Sequence, residues 1–121
     1  MYPQFCAFPR HLSYADPYLD AVAADFGLGA LRPGVIVGEV GDALEVMTAP
    51  DGRTALIPIG EVRRGLSESA AFALMDAVEE AIEDTLDVEP LDEARLSRLE
   101  ESLRLMERCL EGSGEISADQ I

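Results

Sequence analysis

The sequence predicts an α+β fold with a short N-terminal helix, a three-stranded antiparallel meander and two C-terminal helices. Two observations carry this prediction. Three strand-like segments, residues 34–40, 43–48 and 53–59, are separated by short turns that contain glycine. After residue 67, apolar residues recur instead at the spacing of three and four that amphipathic helices show. A chain of 121 residues is long enough for one ordinary hydrophobic core, and we expect residues 1–111 to form a single compact domain.

Residues 1–15 are expected to form an extended N-terminal arm, because Pro3 and Pro9 disfavour helix before them. The arm and the residues just after it carry most of the aromatic side chains of the chain: Tyr2, Phe5, Phe8, Tyr14 and Tyr18. Aromatic side chains are ordinary core material, so we expect them to cover one side of the core. The alternative is that part of the arm contacts a partner.

The short helix is predicted over residues 17–26. Asp16 can cap its free N–H groups, Pro17 suits the first helical position, and Gly27 suits the left-handed position after its end.

The meander is predicted from its two turns. Gly41-Asp42 fits a two-residue hairpin with glycine first, and residues 49–52 fit a type I turn followed by a glycine in the left-handed bulge position. Because Pro58 has no N–H to donate, the third strand should end there or lie at an edge.

The first C-terminal helix is predicted over residues 68–86, with Ser67 as its cap. Placing its residues at 100° intervals separates two faces. The apolar face should pack on the sheet and contains Ala71, Leu74, Met75, Val78, Ala81, Ile82 and Leu86. The opposite face spans an arc of about 140° and contains Asp76, Glu79, Glu80, Glu83, Asp84 and Asp87. Phe72 falls on this acidic side, where either the N-terminal arm covers it or it is free to anchor a partner.

The second C-terminal helix should begin after Asp92, which can cap it. Its leucine-rich seam steps by three and four residues, and is formed by Leu96, Leu99, Leu103, Met106 and Leu110. We favour packing of this seam against the preceding helix, with dimerisation through it as the alternative. Residues 112–121 are expected to form a mobile tail.

The formal net charge is −15, and residues 76–93 hold nine carboxylates without a basic residue. Such a charge disfavours direct binding to nucleic acid or to an anionic membrane and favours a basic protein partner. The first residues lack the features of a secretory signal, so a cytoplasmic location is expected. Lysine is absent, which excludes Schiff-base catalysis and a P-loop lysine.

Catalytic and metal-binding patterns are weak in this sequence. His11 is the only histidine and lies near Cys6, so the two could form a thiol–base pair, but both fall in the proline-containing arm and no third, orienting residue accompanies them. Cys6, His11 and Cys109 do not have the spacing of a zinc site. We therefore expect no enzyme activity, no metal and no cofactor.

The acidic helix face leads to the main functional hypothesis. A small acidic protein of this kind could inhibit a basic, nucleic-acid-handling protein by occupying its phosphate sites, using the six helix carboxylates and Phe72. In size and charge the chain resembles anti-CRISPR proteins, immunity proteins and DNA mimics. The first alternative is a dimeric adaptor or secretion-type chaperone that uses the seam at residues 96–110. The second is that the acidic face only keeps the helix solvated.

Overall fold

The computed structural model describes residues 2–13 and 16–120, with side chains as far as residue 111. The described residues form an α+β fold with one five-stranded antiparallel sheet and three α-helices. The strands are β1 (Gln4–Pro9), β2 (Leu31–Val40), β3 (Ala43–Met47), β4 (Thr54–Pro58) and β5 (Arg63–Arg64). The helices are α1 (Pro17–Asp25), α2 (Glu68–Leu86) and α3 (Glu93–Gln120).

The predicted α+β class is confirmed, but the predicted three-stranded sheet is wrong. The sheet order is β4-β3-β2-β1-β5, so the extended arm supplies a strand that pairs with β2 inside the sheet, and α1 is not the first element. The run from Phe5 to Phe8 is buried at every position. A continuous apolar run without alternation is typical of a strand covered on both faces. Pro3 precedes the paired segment, and Pro9 is its last residue, opposite Leu31 of β2.

The two edges of the sheet lie closer together than they would in a flat sheet. Strands β4 and β5 form its opposite edges, although only residues 59–62 separate them in the chain. In a flat sheet these edges would lie four strand spacings apart, about 19 Å. The five Cα steps from Pro58 to Arg63 reach at most about 18 Å when fully extended, and a 3₁₀ turn, Ile59–Glu61, shortens this link further. The two edges must therefore approach each other, and a register shift between Ile36 and Gly38 in β2 helps the sheet to bend.

The two predicted turns of the meander are confirmed. Gly41 has φ 60° and Val40 pairs with Ala43, as a two-residue hairpin requires. In the second turn the Gly52 N–H donates to the Ala49 carbonyl at 3.1 Å, and Gly52 has φ 87°. Strand β4 ends at Pro58 and lies at the edge of the sheet, so both expectations for that proline hold.

Helix α1 begins as predicted, because the Leu19 N–H donates to Asp16 Oδ1 at 2.9 Å and Pro17 is the first helical residue. An ion pair fixes this helix to the sheet. Arg32 of β2 is buried and donates to both carboxylate oxygens of Asp20, from Nε at 2.5 Å and from Nη2 at 3.2 Å.

Helices α2 and α3 pack on each other, α2 also contacts α1 and β2, and α3 also contacts β1. The predicted bounds of α2 match the structure, and the Arg95 N–H donates to Asp92 Oδ1 at 3.0 Å at the start of α3. The predicted mobile tail, residues 112–121, lies beyond the described side chains and stays a prediction. Within the described residues, no helix combines the length and the apolar character that crossing a membrane requires.

Candidate functional site

The acidic surface is built by one capped helix. Ser67 Oγ accepts the Ala70 N–H at 3.1 Å, which satisfies one free donor at the start of α2. From there the apolar stripe faces the core, with Leu74, Val78 and Ala81 fully buried. Leu86 is an exception to the predicted apolar stripe, since its side chain is 53% exposed. The neighbouring Thr85 is buried instead. Because the inward face is fixed by packing, the opposite face is held towards solvent.

The six predicted partner-binding carboxylates all lie on that outer face and are all exposed. We call them the acidic band: Asp76, Glu79, Glu80, Glu83, Asp84 and Asp87. The ion pairs of the described residues join Arg32 to Asp20, Arg53 and Arg95 to Asp51, and Arg64 to Glu39. None of these pairs includes a carboxylate of the acidic band, so its charge is not neutralised within the described part of the chain.

One carboxylate of the acidic band has a hydrogen-bond donor. The Tyr18 hydroxyl of α1 donates to Asp84 Oδ2 at 2.5 Å. This hydrogen bond, aided by desolvation and by the nearby charge, raises the pKa of Tyr18 to about 12, since a phenolate would lose the donated proton and face a carboxylate. The contact joins the C-terminal half of α2 to α1.

Phe72 lies on the acidic side of α2, one turn before Asp76, and is 46% exposed. An exposure of 46% disagrees with the interpretation in which the N-terminal arm covers this side chain. The arm forms β1 within the sheet, and its aromatic residues Phe5 and Phe8 are buried in the core instead. The expectation that arm aromatics serve the core is confirmed for these two, while Tyr14 lies outside the described residues.

The leucine-rich seam of α3 contributes to the core of the same chain. Leu99 and Met106 are fully buried within it, and Leu103 and Leu110 pack against it. Leu96 is half-buried. Packing within the chain was the favoured interpretation of this spacing, and the burial of Leu99 and Met106 agrees with it.

The proposed thiol–base pair has the wrong environment for nucleophilic catalysis. Cys6 is fully buried in β1, whereas His11 is exposed in the 3₁₀ turn that follows the strand. Burial raises the pKa of Cys6 to about 12, with Cys109 adding to the shift, and burial also raises the pKa of Cys109 to about 12. An activated cysteine needs the opposite shift, towards the thiolate at neutral pH.

We expect both thiols of the folded protein to resist alkylation. At pH 7.5 a thiol with a pKa near 12 forms roughly a thousandfold less thiolate than an ordinary cysteine. Burial also keeps the alkylating reagent away from both sulfur atoms. Mass spectrometry after iodoacetamide treatment should find Cys6 and Cys109 unmodified in the native protein and both modified in urea. Rapid, selective modification of native Cys6 would contradict this picture.

Metal binding finds no support in the described side chains, because no group of three or more His, Cys, Asp or Glu residues there is placed to hold an ion. The carboxylates of the acidic band point outwards from a convex helix and do not converge on one point. Their arrangement suits an extended positively charged surface better than a single cation.

Sequence reasoning did not single out a groove between α3 and the hairpin that joins β3 to β4. It has a volume of about 580 Å³ and its walls include Arg98, Arg104 and Arg108. Its apolar part includes Leu105 of α3 and Met47 of β3. The spacing of Arg98, Leu105 and Arg108 by seven and three residues places them on one side of a helix, but only the fold shows that the hairpin stands opposite them.

Comparison of the chain with protein-family models, with curated proteins and with solved structures found no match.

Proposed function

We propose that this chain is a small acidic protein that binds a basic, nucleic-acid-handling protein and inhibits it. The observation that carries the proposal is the acidic band: six exposed carboxylates on one face of α2 and its C-terminal cap, none of them ion-paired within the described residues. The carboxylates form ion pairs with Lys and Arg side chains that the partner otherwise uses to bind phosphates. Binding of this chain and binding of nucleic acid therefore exclude each other.

The charge spacing of the acidic band supports competition with a phosphate backbone. Residues 76–87 span about 16 Å of helix, or roughly one carboxylate per 3.3 Å. Phosphates of one strand of B-DNA follow each other at about 3.4 Å along the axis. A surface that accepts a nucleic-acid strand therefore meets a comparable linear charge density on α2.

The free protein also gains from neutralisation of the acidic band. Like charges at i,i+3 and i,i+4, such as Asp76 with Glu80 or Glu79 with Glu83, destabilise a helix by about 0.2–0.5 kcal/mol per pair. A basic partner removes this repulsion when it binds. In contrast, an acidic face that serves only solvation gains nothing from a particular partner.

Phe72 supplies the apolar anchor of the proposed interface. Its ring lies at the N-terminal end of the acidic band and is 46% exposed. Aromatic side chains are enriched among the few residues that dominate binding energy, and charged residues around them set the rate of association. We therefore assign the specificity of docking to Phe72. The carboxylates attract the basic partner and so set the rate of association.

Reversing three charges of the acidic band, Glu79→Lys with Glu80→Lys and Glu83→Lys, should abolish capture of the partner. A matched control changes the net charge equally at the exposed residues Glu61, Glu93 and Glu107, outside the acidic band. Immobilised wild type and control should retain the same basic protein from the native host at low salt and release it at high salt. Capture of that protein by the triple variant would rule out the acidic band as the binding surface.

The purified partner then allows the inhibition to be measured. Increasing amounts of this chain should displace a fluorescent oligonucleotide from the partner, and the triple variant should associate roughly ten to a hundred times more slowly. Phe72→Ala should instead speed dissociation, since it removes an anchor and no charge. Displacement that proceeds equally with the triple variant would contradict competition by the carboxylates.

A further inference from the structure

We propose that the groove between α3 and the β3–β4 hairpin binds a small amphipathic anion, with an apolar body and a carboxylate or phosphate head. The groove lies on α3 and the hairpin, apart from the acidic band of α2, and the inference does not depend on the proposed function. Its volume of about 580 Å³ falls within the range of about 300–1,000 Å³ that small-molecule sites occupy.

Three arginines supply the recognition of the anionic head. Arg98, Arg104 and Arg108 line the groove, and none of them takes part in an ion pair within the described residues. Arg104 and Arg108 are one helical turn apart, where like charges repel each other. An anion placed between them relieves this repulsion and accepts hydrogen bonds from two guanidinium groups.

The two acidic residues of the groove offset these charges only in part. Asp51 already accepts from Arg53 Nε at 3.1 Å and from Arg95 Nη1 at 3.4 Å, which engages its charge away from the three arginines. Glu101 is exposed and makes no ion pair within the described residues. Its negative charge repels an anion in the groove. Neutralising Glu101 should therefore strengthen binding of the anion.

The apolar wall of the groove defines the body of the ligand. Met47 is buried, and Val37 and Leu105 are half-buried side chains that pack against the core and border the groove. An aliphatic or aromatic chain laid on Val37 and Leu105 would exclude water from both. The distance from Arg98 to Arg108 along α3 is about 15 Å, so the groove accommodates a body of several carbon atoms beside its charged end.

The net charge of the protein selects a small anion over a large one. At −15 the chain repels a nucleic acid or an acidic protein through its whole field, whereas an ion with one or two charges meets much less opposition. The local excess of arginine in the groove can outweigh that opposition only for a ligand that fits inside it.

Titration with sodium octanoate and with 1-octanol, followed by two-dimensional NMR of the full chain, tests the proposal. Octanoate should produce saturable shifts at Val37, Met47 and Leu105, and 1-octanol should bind roughly tenfold more weakly, since it lacks the charge that the arginines recognise. Equal affinity for the two compounds, or shifts centred outside the groove, would overturn the proposal. A twelve-nucleotide DNA strand should cause no shifts in the groove, and tighter binding of that strand would refute the selection of a small anion.

Variants separate recognition from folding. Arg104→Gln with Arg108→Gln should weaken octanoate binding roughly tenfold and leave 1-octanol unaffected, while Arg63→Gln, an exposed arginine outside the groove, should change neither. Glu101→Gln should tighten octanoate binding several-fold, a gain that a folding defect cannot imitate. Unchanged octanoate affinity in the folded double variant, or weaker binding in Glu101→Gln, would show that the arginines do not form the site.

Discussion

Replacing Asp20 by asparagine should destabilise the protein by about 2 kcal/mol. The side chain of Arg32 is only 4% exposed, and Asp20 binds it through both carboxylate oxygens. Removing one partner of a buried pair leaves an uncompensated charge, which costs about 3–5 kcal/mol when both groups are buried. We expect a smaller cost here because Asp20 is 34% exposed and Arg32 Nη1 also donates to Ser13 Oγ at 2.8 Å.

The matched control for this variant is Asp25→Asn, an exposed residue at the end of the same helix. Urea unfolding followed by circular dichroism should give a free energy of unfolding within about 0.5 kcal/mol of wild type for the control. If Asp20→Asn matched the control, the ion pair would not be what fixes α1 to β2.

The same pair predicts a pH dependence. The hydrogen bonds from Arg32 lower the pKa of Asp20 below its ordinary value of 3.8, so folding favours the ionised carboxylate. The stability that this group contributes is complete above pH 3.8 and is lost as the pH falls through the depressed pKa. Wild type should therefore lose its advantage over Asp20→Asn on acidification below about pH 4, and a constant difference down to pH 2 would contradict the assignment.

The helices and turns were accessible from the sequence because their signals are local. Ser67, Asp16 and Asp92 each accept the backbone hydrogen bond that their position predicted. The glycines at 41 and 52 adopt the positive φ that their turns need. Each of these features depends on neighbours within four residues, so no knowledge of distant contacts was necessary.

The arrangement of the sheet was less accessible because it depends on distant pairing. Phe5 pairs with Val35, thirty positions later, and β5 consists of two arginines whose pairing with β1 has no apolar pattern to reveal it. The acidic band could be predicted, since it follows from the period of one helix. The groove between α3 and the β3–β4 hairpin could not be predicted, because it exists only where the hairpin at residues 49–52 meets α3.

Replacing Gly34 by alanine should destabilise the protein by about 3 kcal/mol, the largest effect we expect from adding a single methyl group. A Cβ atom at this position would lie 2.7 Å from the Met47 carbonyl oxygen and 2.7 Å from Phe8 Cε1. The first is backbone of a paired strand and the second belongs to a fully buried ring, so neither can move easily. Overpacking of this kind costs about 1–3 kcal/mol, and contact on two rigid sides places Gly34 at the upper end.

Gly60→Ala provides the control, because a Cβ there meets nothing within 4 Å, and its unfolding free energy should stay within about 0.5 kcal/mol of wild type. Phe8→Leu removes the ring that the new methyl group would touch, at the expense of a cavity of its own. If the ring is one of the two obstacles, the double variant should be less destabilised than the sum of the two single variants. Strict additivity would assign the whole cost to the Met47 carbonyl and would show that β3, not the core around Phe8, requires glycine at this point of β2.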